Sequence, residues 1–272
     1  MIYDIFMFHN ELDLLEIRME ELWDIVDKFV ITEATTTFQG DPKPMYYQEN
    51  IDRFKKYQDK IIHFIVPNPL PKGRPFLSER IQRNYHQRVL EYNDNDILII
   101  GDLDEMPKAS TLKKYIGLLE SGEQYLLLLY LSMHHYYVNY VHPEYKWMYG
   151  PTAVIGLALK SCPTSHYRKK VGMRKARGGV KVHDAGWHFS FVGKLDHIRE
   201  KIDACSYKNL VYTCLESTDL ITRINTGNSF LYSDEGILHS FKFALNNDIE
   251  LPKYLMDNKE RFSHLFYQGD VE

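Results

Sequence analysis

The feature that most constrains the fold of this chain is a short apolar run that ends in a cluster of acids. Four consecutive aliphatic residues, Ile97–Ile100, are typical of a strand buried on both faces in the middle of an α/β sheet. The run stops at Gly101, and Asp102, Asp104 and Glu105 follow within four positions. Open α/β sheets bind ligands beyond the carboxyl ends of their strands, so the sequence predicts a ligand site at this edge of the sheet.

The spacing of the two aspartates indicates what that ligand includes. Asp102 and Asp104 are two positions apart, so both side chains leave the same side of a nearly extended backbone. Their like charges repel each other unless a cation lies between them. Mn²⁺ and Mg²⁺ take oxygen ligands from one or two carboxylates together with substrate phosphates. We therefore expect a divalent metal that bridges to a phosphorylated substrate, and the alternative is a solvated acidic loop.

The length and composition fit one large α/β domain. With 272 residues, 44% of them hydrophobic and 26% charged, the chain can bury a substantial core. The net charge of −4 does not favour nucleic-acid binding, which needs a basic face. Three cysteines without paired spacing indicate a reducing compartment. The sequence has neither a signal-peptide pattern nor a transmembrane run of about 18 apolar residues, so we expect a cytoplasmic protein.

The N-terminal third alternates strands and helices. Residues 2–8 and 28–33 have the apolar pattern of strands, and a helix with apolar residues at helical spacing connects them. A strand, a helix and a second strand within 33 residues form the start of a right-handed βαβ unit. Further strands are predicted at residues 60–66, 124–131 and 152–159, and the last third is predicted to consist of helices and loops.

The helix predicted before the acidic cluster has two different faces. Its apolar, inner face consists of Ile81, Tyr85, Val89 and Tyr92. Its polar face has helical spacing and consists of Arg80, Arg83, Asn84 and Gln87. A solvated surface is one interpretation of the polar face. Because the helix leads directly into the acidic strand end, the other interpretation is that Arg83 and Asn84 contact the ligand.

A basic segment and a short aromatic strand follow in the second half of the chain. Residues 165–184 contain seven Lys or Arg and three glycines, so they are either a solvated loop or a mobile lid that pairs with phosphate. The next segment, Gly186–Ser190, reads Gly-Trp-His-Phe-Ser and has the character of a β-strand. His188 is either a metal ligand or a core histidine, and the indole of Trp187 is a candidate surface for a sugar ring.

Several stretches together resemble glycosyltransferase family 17, the family that includes the bisecting β-1,4-N-acetylglucosaminyltransferase. The resemblance covers residues 1–205, and its order and spacing make it more specific than any single motif. The matching stretches are residues 10–18, 26–33, 37–44, 82–84, Asp102-Leu103-Asp104-Glu105-Met106-Pro107 and Gly186-Trp187-His188-Phe189-Ser190. The resemblance implies a GT-A fold, in which a single Rossmann-type mixed sheet is flanked by helices and followed by a helical C-terminal portion. It also implies metal-assisted inverting transfer from a nucleotide-sugar donor, UDP-N-acetylglucosamine first, to a glycan acceptor.

Together with the residue patterns, the resemblance implies roles for individual side chains. Asp102 and Asp104 hold Mn²⁺ or Mg²⁺, and His188 is a third candidate ligand. The candidate donor-binding residues are Asn10, Glu33, Arg83, Asn84, Asp102 and Trp187. A carboxylate must take the proton of the acceptor hydroxyl, and Asp184 and Glu105 are the two candidates for this base. We expect one domain, with a nucleotide-binding half at residues 1–110, an acceptor and metal half at 111–205, and a helical extension at 206–272.

Two departures from the family pattern bear on function. A family segment like Ser-His-Gln-Glu is replaced by Cys205-Ser206-Tyr207-Lys208, which removes one candidate acid and one imidazole. The sequence also lacks the membrane anchor of the Golgi enzymes, so we expect a bacterial or viral relative in the bacterial or infected host cytosol. Two alternatives stay open: a metal-dependent nucleotidyltransferase or phosphohydrolase, and an inactive carbohydrate-binding protein of the same fold.

Overall fold

The computed structural model describes residues 1–67, 69–167, 179–209, 211, 220–229 and 242–269. Its strands are β1 (Ile2–Met7), β2 (Lys28–Ala34), β3 (Ile61–Val66), β4 (Ile97–Ile100), β5 (Glu105–Pro107), β6 (Leu126–Leu129), β7 (Leu131–His135), β8 (Tyr137–Trp147), β9 (Thr152–Ile155), β10 (Val180–Val182), β11 (Gly186–Ser190) and β12 (Ala244–Leu245). Its α-helices are α1 (Leu12–Leu22), α2 (Tyr46–Glu49), α3 (Pro75–Asn84), α4 (His86–Val89), α5 (Ala109–Glu120), α6 (Gly156–Lys160), α7 (Thr164–His166), α8 (Leu195–Ala204), α9 (Leu220–Thr226) and α10 (Lys253–Asp257). Two 3₁₀ helices lie at Ile51–Lys60 and Ser263–Leu265.

The main sheet has seven strands in the order β10-β6-β9-β4-β1-β2-β3. β9 runs antiparallel to its neighbours β4 and β6, and the other strands are parallel to one another. The predicted α/β fold of the GT-A type, with a mixed sheet flanked by helices, is therefore confirmed. The acidic cluster follows the central strand of this sheet.

The four residues of β4 are buried because helices cover both faces of the sheet. Ile97 and Ile99 pack in one core with residues of α1 and α5, and Leu98 and Ile100 pack in the other core with residues of α6. Successive side chains of a strand point to opposite faces, so an uninterrupted apolar run serves both cores.

A second sheet of five strands, in the order β12-β8-β7-β11-β5, adjoins the first. The sequence predicts one sheet, and the structure adds this one. β5 begins directly after the paired aspartates and runs antiparallel to β11, with Glu105 opposite His188 and Pro107 opposite Gly186. A Cβ at Gly186, where φ is +144°, would lie 2.0 Å from the carbonyl oxygen of Met106, so only glycine allows this approach.

The structure corrects the predicted helix around residue 80. It is divided into α3 and α4, and its buried residues include Gln82 and Arg83, whereas Val89 on the predicted inner face is exposed. Arg83 points inward, where two carboxylates, Asp102 and Glu79, neutralise it, whereas Arg80 of the same predicted face is exposed.

The basic segment predicted between residues 165 and 184 lies largely outside the described residues, and of its seven cations only Lys181 is described, in β10. The strand predicted at residues 152–159 is shorter in the structure, since β9 ends at Ile155 and α6 begins at Gly156. Among the described residues, no helix has the length and apolar character to cross a membrane.

Candidate active site

A buried arginine holds the turn that carries the paired aspartates. Arg18 donates two hydrogen bonds of 2.7 Å to the carboxylate of Asp4, and both side chains are fully buried. Its remaining terminal nitrogen donates to the carbonyl oxygens of Asp102, Leu103 and Glu105, at 3.0, 3.0 and 2.6 Å. A planar guanidinium can make all these contacts at once, so Arg18 sets the position of the turn.

Glu105 supports the same turn from the other side. Its carboxylate is fully buried and accepts hydrogen bonds from the indole nitrogen of Trp147, at 2.6 Å, and from the backbone nitrogen of Asp102, at 2.9 Å. Each oxygen accepts a hydrogen bond from the protein, so this carboxylate connects Asp102 to Trp147, and the role of Glu105 as a catalytic base stays a prediction.

Asp102 is paired with the polar face of α3. The guanidinium of Arg83 lies 2.6 Å from one oxygen of Asp102 and also donates to Glu79 at 2.9 Å. Glu79 in turn accepts from the hydroxyl of Ser206 at 2.7 Å. Arg83, predicted to bind the donor, therefore lies at the acidic cluster in a charged pair with Asp102, and its donor contact stays a prediction.

Asp104 lies at the junction of β11, α8 and the end of β1. Its Oδ1 is 3.7 Å from Nε2 of His188, and its Oδ2 is 2.7 Å from the ammonium of Lys201. Lys201 also lies 2.7 Å from a carboxylate oxygen of Glu11. Burial by itself raises the pKa of Glu11, but the charges of Lys201, His197 and His9 outweigh it and lower that pKa to about 2.

The side chains around Asp104 suit a divalent cation that is bound partly by the protein and partly by a substrate. In the described part of the chain no three His, Cys, Asp or Glu side chains converge as a metal-binding group. Asp104, in the turn before β5, and His188, in β11, however, present an oxygen and a nitrogen 3.7 Å apart. Mg²⁺ and Mn²⁺ are commonly held by one or two protein ligands with phosphate oxygens and water in the other positions. The two side chains suit this kind of site.

A narrow crevice of about 10 Å³, room for about one water molecule, lies at the carboxyl ends of β1, β2 and β4. Its lining residues are Ile5, Phe6, Met7, Thr32, Arg83, Ile100, Gly101 and Thr164. The buried hydroxyl of Thr32 has no hydrogen-bond partner among the described residues, and the same holds for the buried Oδ1 of Asn10, just after β1. Buried polar atoms normally have partners, so these two are available to a bound ligand or water.

Glu33 and Asn84, both predicted to bind the donor, are occupied by the protein itself. Glu33 is fully buried and contacts the backbone nitrogen of Tyr47, the ring of His63 and the ammonium of Lys43, at 3.2, 3.1 and 3.5 Å. It therefore anchors the loop that follows β2. The side chain of Asn84 pairs with the backbone nitrogen and hydroxyl of Ser165, at 2.9 and 3.3 Å, and so holds α7.

The structure does not bring Trp187 or Asp184 to the aspartates. The indole of Trp187 is 4% exposed, stacks on Phe189 and donates to the carbonyl of Glu250 at 2.8 Å, so it packs in a core under the C-terminal residues. The carboxylate of Asp184 is 86% exposed and lies near Lys146, at the end of the β5–β11 pair away from Asp104. The length of that pair separates this candidate base from Asp104 and His188.

Sequence reasoning missed Arg18, Lys201, Glu11 and Trp147. A signal for Arg18 was present, because Asp4 interrupts an apolar strand and Arg18 lies on the apolar face of its helix. Buried charges need partners. Lys201 has no such local signal, since only the packing of α8 brings it to Asp104.

The mixed sheet, flanked by helices and with paired carboxylates after its central strand, defines an α/β protein with a fold of the GT-A type. The family model of glycosyltransferase family 17 matches residues 1–271, and the chain belongs to this family. Over 124 residues the chain is 30% identical to the human beta-1,4-mannosyl-glycoprotein 4-beta-N-acetylglucosaminyltransferase and 29% identical to its mouse counterpart. Each match covers 41% of this chain and 23% of the relative, so the matched segment spans about a quarter of those enzymes.

Two solved structures are similar at low sequence identity. Residues 1–349 of TarS from S. aureus are 13% identical, with 70% of this chain and 60% of that chain covered and a TM-score of 0.45. The mannosyltransferase PcManGT from Pyrobaculum calidifontis, solved in complex with GDP-Man and Mn²⁺, is 14% identical, with 79% and 63% covered and a TM-score of 0.47.

Proposed function

We propose that this protein is a metal-dependent inverting glycosyltransferase that moves N-acetylglucosamine from a UDP-sugar to a hydroxyl of a glycan. Membership of glycosyltransferase family 17 and the likeness to N-acetylglucosaminyltransferases support the reaction class and the sugar. The observation that carries the proposal is the pair formed by Asp104 and His188 at the carboxyl edge of the central strand, 3.7 Å apart. A nucleotide diphosphate is the substrate group that such a site would bind through a shared cation.

The carboxyl edge of β1, β2 and β4, around this narrow crevice, is the proposed place of the nucleoside. Thr32 and Asn10 offer a hydroxyl and a carbonyl oxygen whose hydrogen-bonding capacity is unused by the described residues. Arg83 lines the same crevice and keeps the carboxylate of Asp102 beside it. Hydroxyls of a ribose and polar edges of a base suit these three side chains, and ligands of open α/β sheets commonly bind at this edge.

Asp104 and His188 are the proposed metal-holding residues, with Asp102 beside them. A bound divalent cation would screen the charge of the diphosphate as the bond to the sugar breaks. The chain itself contributes two fixed cations at this edge, Arg83 and Lys201, each within 2.7 Å of an aspartate oxygen. They keep the two carboxylates in place before a substrate binds.

A cytosolic location belongs to the same proposal. The side chains of Cys162 and Cys205 are free thiols, which suits a reducing compartment.

Turnover of a panel of nucleotide sugars, with and without Mn²⁺, tests the reaction class. With an oligosaccharide acceptor we expect release of UDP together with an acceptor that gains the mass of one N-acetylglucosamine. Release of UMP and sugar phosphate would instead favour a phosphohydrolase. Binding of glycan without turnover of any donor would favour the inactive carbohydrate-binding protein.

The variant Asp104→Asn tests the site. We expect it to lose transfer, and Mn²⁺-dependent affinity for UDP to fall by at least about tenfold in calorimetry. Asp94→Asn is the control, since Asp94 is a half-exposed partner of Lys160. Unchanged affinity for UDP in Mn²⁺ would contradict the metal assignment of Asp104.

A further inference from the structure

We infer that Trp147, with Tyr149 beside it, forms the surface on which a sugar ring lies next to Asp104 and His188; this inference rests on the proposed function. Trp147 is the last residue of β8. Its ring centroid is 4.4 Å from that of His188 and 5.0 Å from that of Tyr149, and both aromatic side chains are partly exposed. An open aromatic surface therefore adjoins the imidazole that faces Asp104.

The indole is held so that its polar edge points inward. Its nitrogen donates a 2.6 Å hydrogen bond to Glu105, whose other oxygen accepts from the backbone nitrogen of Asp102. One buried carboxylate thus connects the aromatic surface to the turn of the paired aspartates. Because Glu105 already accepts the indole N–H, Trp147 can contact a ligand only through its apolar ring atoms. These atoms suit the C–H face of a pyranose.

The segment that carries Trp147 and Tyr149 packs directly on the end of the central strand. A Cβ at Gly101 would lie 2.8 Å from Cβ of Pro151, and it would also meet the carboxylate of Glu105 at 3.3 Å. Gly101 therefore allows this close approach. The approach places the aromatic pair at the carboxyl edge of the sheet, where a donor sugar attached to a diphosphate or an acceptor sugar would meet it.

The other two tryptophans are in different surroundings. Trp187, which the sequence favours for this role, is enclosed in the core beneath Glu250. Trp23 follows α1, stacks on Phe29 near the start of β2 and lies under the ammonium of Lys60. Of the three tryptophans, Trp147 is the one at the ligand-binding edge.

The ligand expected to stack on Trp147 is a pyranose ring, and this ring belongs either to the donor sugar or to the acceptor sugar. In Trp147→Leu, affinity for UDP with Mn²⁺ measures the effect of losing the hydrogen bond to Glu105, and the loss for the sugar is expected in addition to that effect. If the donor sugar lies on Trp147, affinity for UDP-N-acetylglucosamine falls about tenfold. If the acceptor sugar lies there, the KM for the acceptor rises about tenfold instead.

A second measurement protects the test against a folding defect. Trp147→Phe keeps an aromatic ring in the core and removes the indole emission. We expect the intrinsic fluorescence of the wild type to change on adding the sugar ligand, and this change to be absent in Trp147→Phe and retained in Trp23→Phe.

If folded Trp147→Leu keeps both its affinity for UDP-N-acetylglucosamine and its KM for the acceptor, Trp147 is a core residue only and the inference is overturned. The proposed function would still stand in that case, provided that the wild type binds UDP. Failure of the wild type to bind either UDP or UDP-N-acetylglucosamine would overturn the proposed function and the inference with it.

Discussion

The ammonium of Lys201 lies 2.7 Å from Asp104 and 2.7 Å from Glu11, and so joins the start of α1 to the turn after β4. The three side chains are 8 to 17% exposed, so the pairs are shielded from solvent. The C-terminal end of α8 also accepts a backbone hydrogen bond from Phe38, in the loop after β2. Helix α8 therefore supplies a counter-charge to the carboxylate that is the best candidate for holding a metal.

Replacing Lys201 by Met should destabilise the metal-free protein. Removing one partner of a buried pair leaves uncompensated charge and costs about 3–5 kcal/mol of unfolding free energy. Because Asp104 and Glu11 then lack a cation, Mn²⁺ should raise the melting temperature of the variant more than that of the wild type. Thermal unfolding with and without Mn²⁺ measures both effects.

The matched control for Lys201 is Lys160→Met, which removes a half-exposed pair with Asp94. It should cost no more than about 1 kcal/mol. Equal losses in the two variants, or an equal response to Mn²⁺, would contradict the role assigned to Lys201.

The variant His188→Ala should show whether His188 is a metal ligand or a histidine that only packs in the core. If His188 holds the metal, the Mn²⁺ dependence of UDP binding weakens by at least about tenfold, as measured by calorimetry at several Mn²⁺ concentrations. If its role is packing alone, the variant loses about 1–3 kcal/mol of stability while UDP affinity in Mn²⁺ is intact. The second result would remove His188 from the proposed metal site and leave Asp102 and Asp104 as its members.

Replacing Arg18 by Lys should be strongly destabilising although the charge is conserved. An ammonium cannot make the paired contact with Asp4 and also reach three carbonyl oxygens of the turn. We expect a loss of about 3–5 kcal/mol in urea unfolding. Arg199→Lys, at an exposed pair with Asp196, should have no measurable effect, and a similarly small effect of Arg18→Lys would contradict this account.

Glu16 should make stability depend on pH in the acid range. Burial by itself raises the pKa of Glu16, but hydrogen bonds from Arg261, Tyr254 and Arg53 outweigh it and lower the pKa to about 2. A depressed pKa stabilises the fold above the ordinary pKa of 4.5, and this contribution is lost as pH falls from there toward 2. In urea unfolding, Glu16→Gln should therefore be less stable than the wild type at about pH 7, and the difference should shrink at about pH 3. A constant difference would contradict the shifted pKa.

The sequence by itself determined the central strand, the acidic turn after it and the short strand that carries His188. These features are local: Ile97–Ile100 is apolar at every position, so it suits a strand covered on both faces, and the acids follow at once in the chain. The order of the matching stretches also indicated the family before any fold was described. This local pattern does not show which side chains of other elements contact the acidic turn.

Only the tertiary structure decided the partners of the acids. Lys201 is 97 residues from Asp104 and Trp147 is 42 residues from Glu105, and nothing in the local pattern of either residue marks these contacts. Trp187 and His188 are adjacent, yet they point to opposite faces of β11, so one enters a core and the other faces Asp104. The physical reason is that burial and charge pairing depend on the distance between elements packed in three dimensions, whereas the sequence directly encodes the order and periodicity within each element.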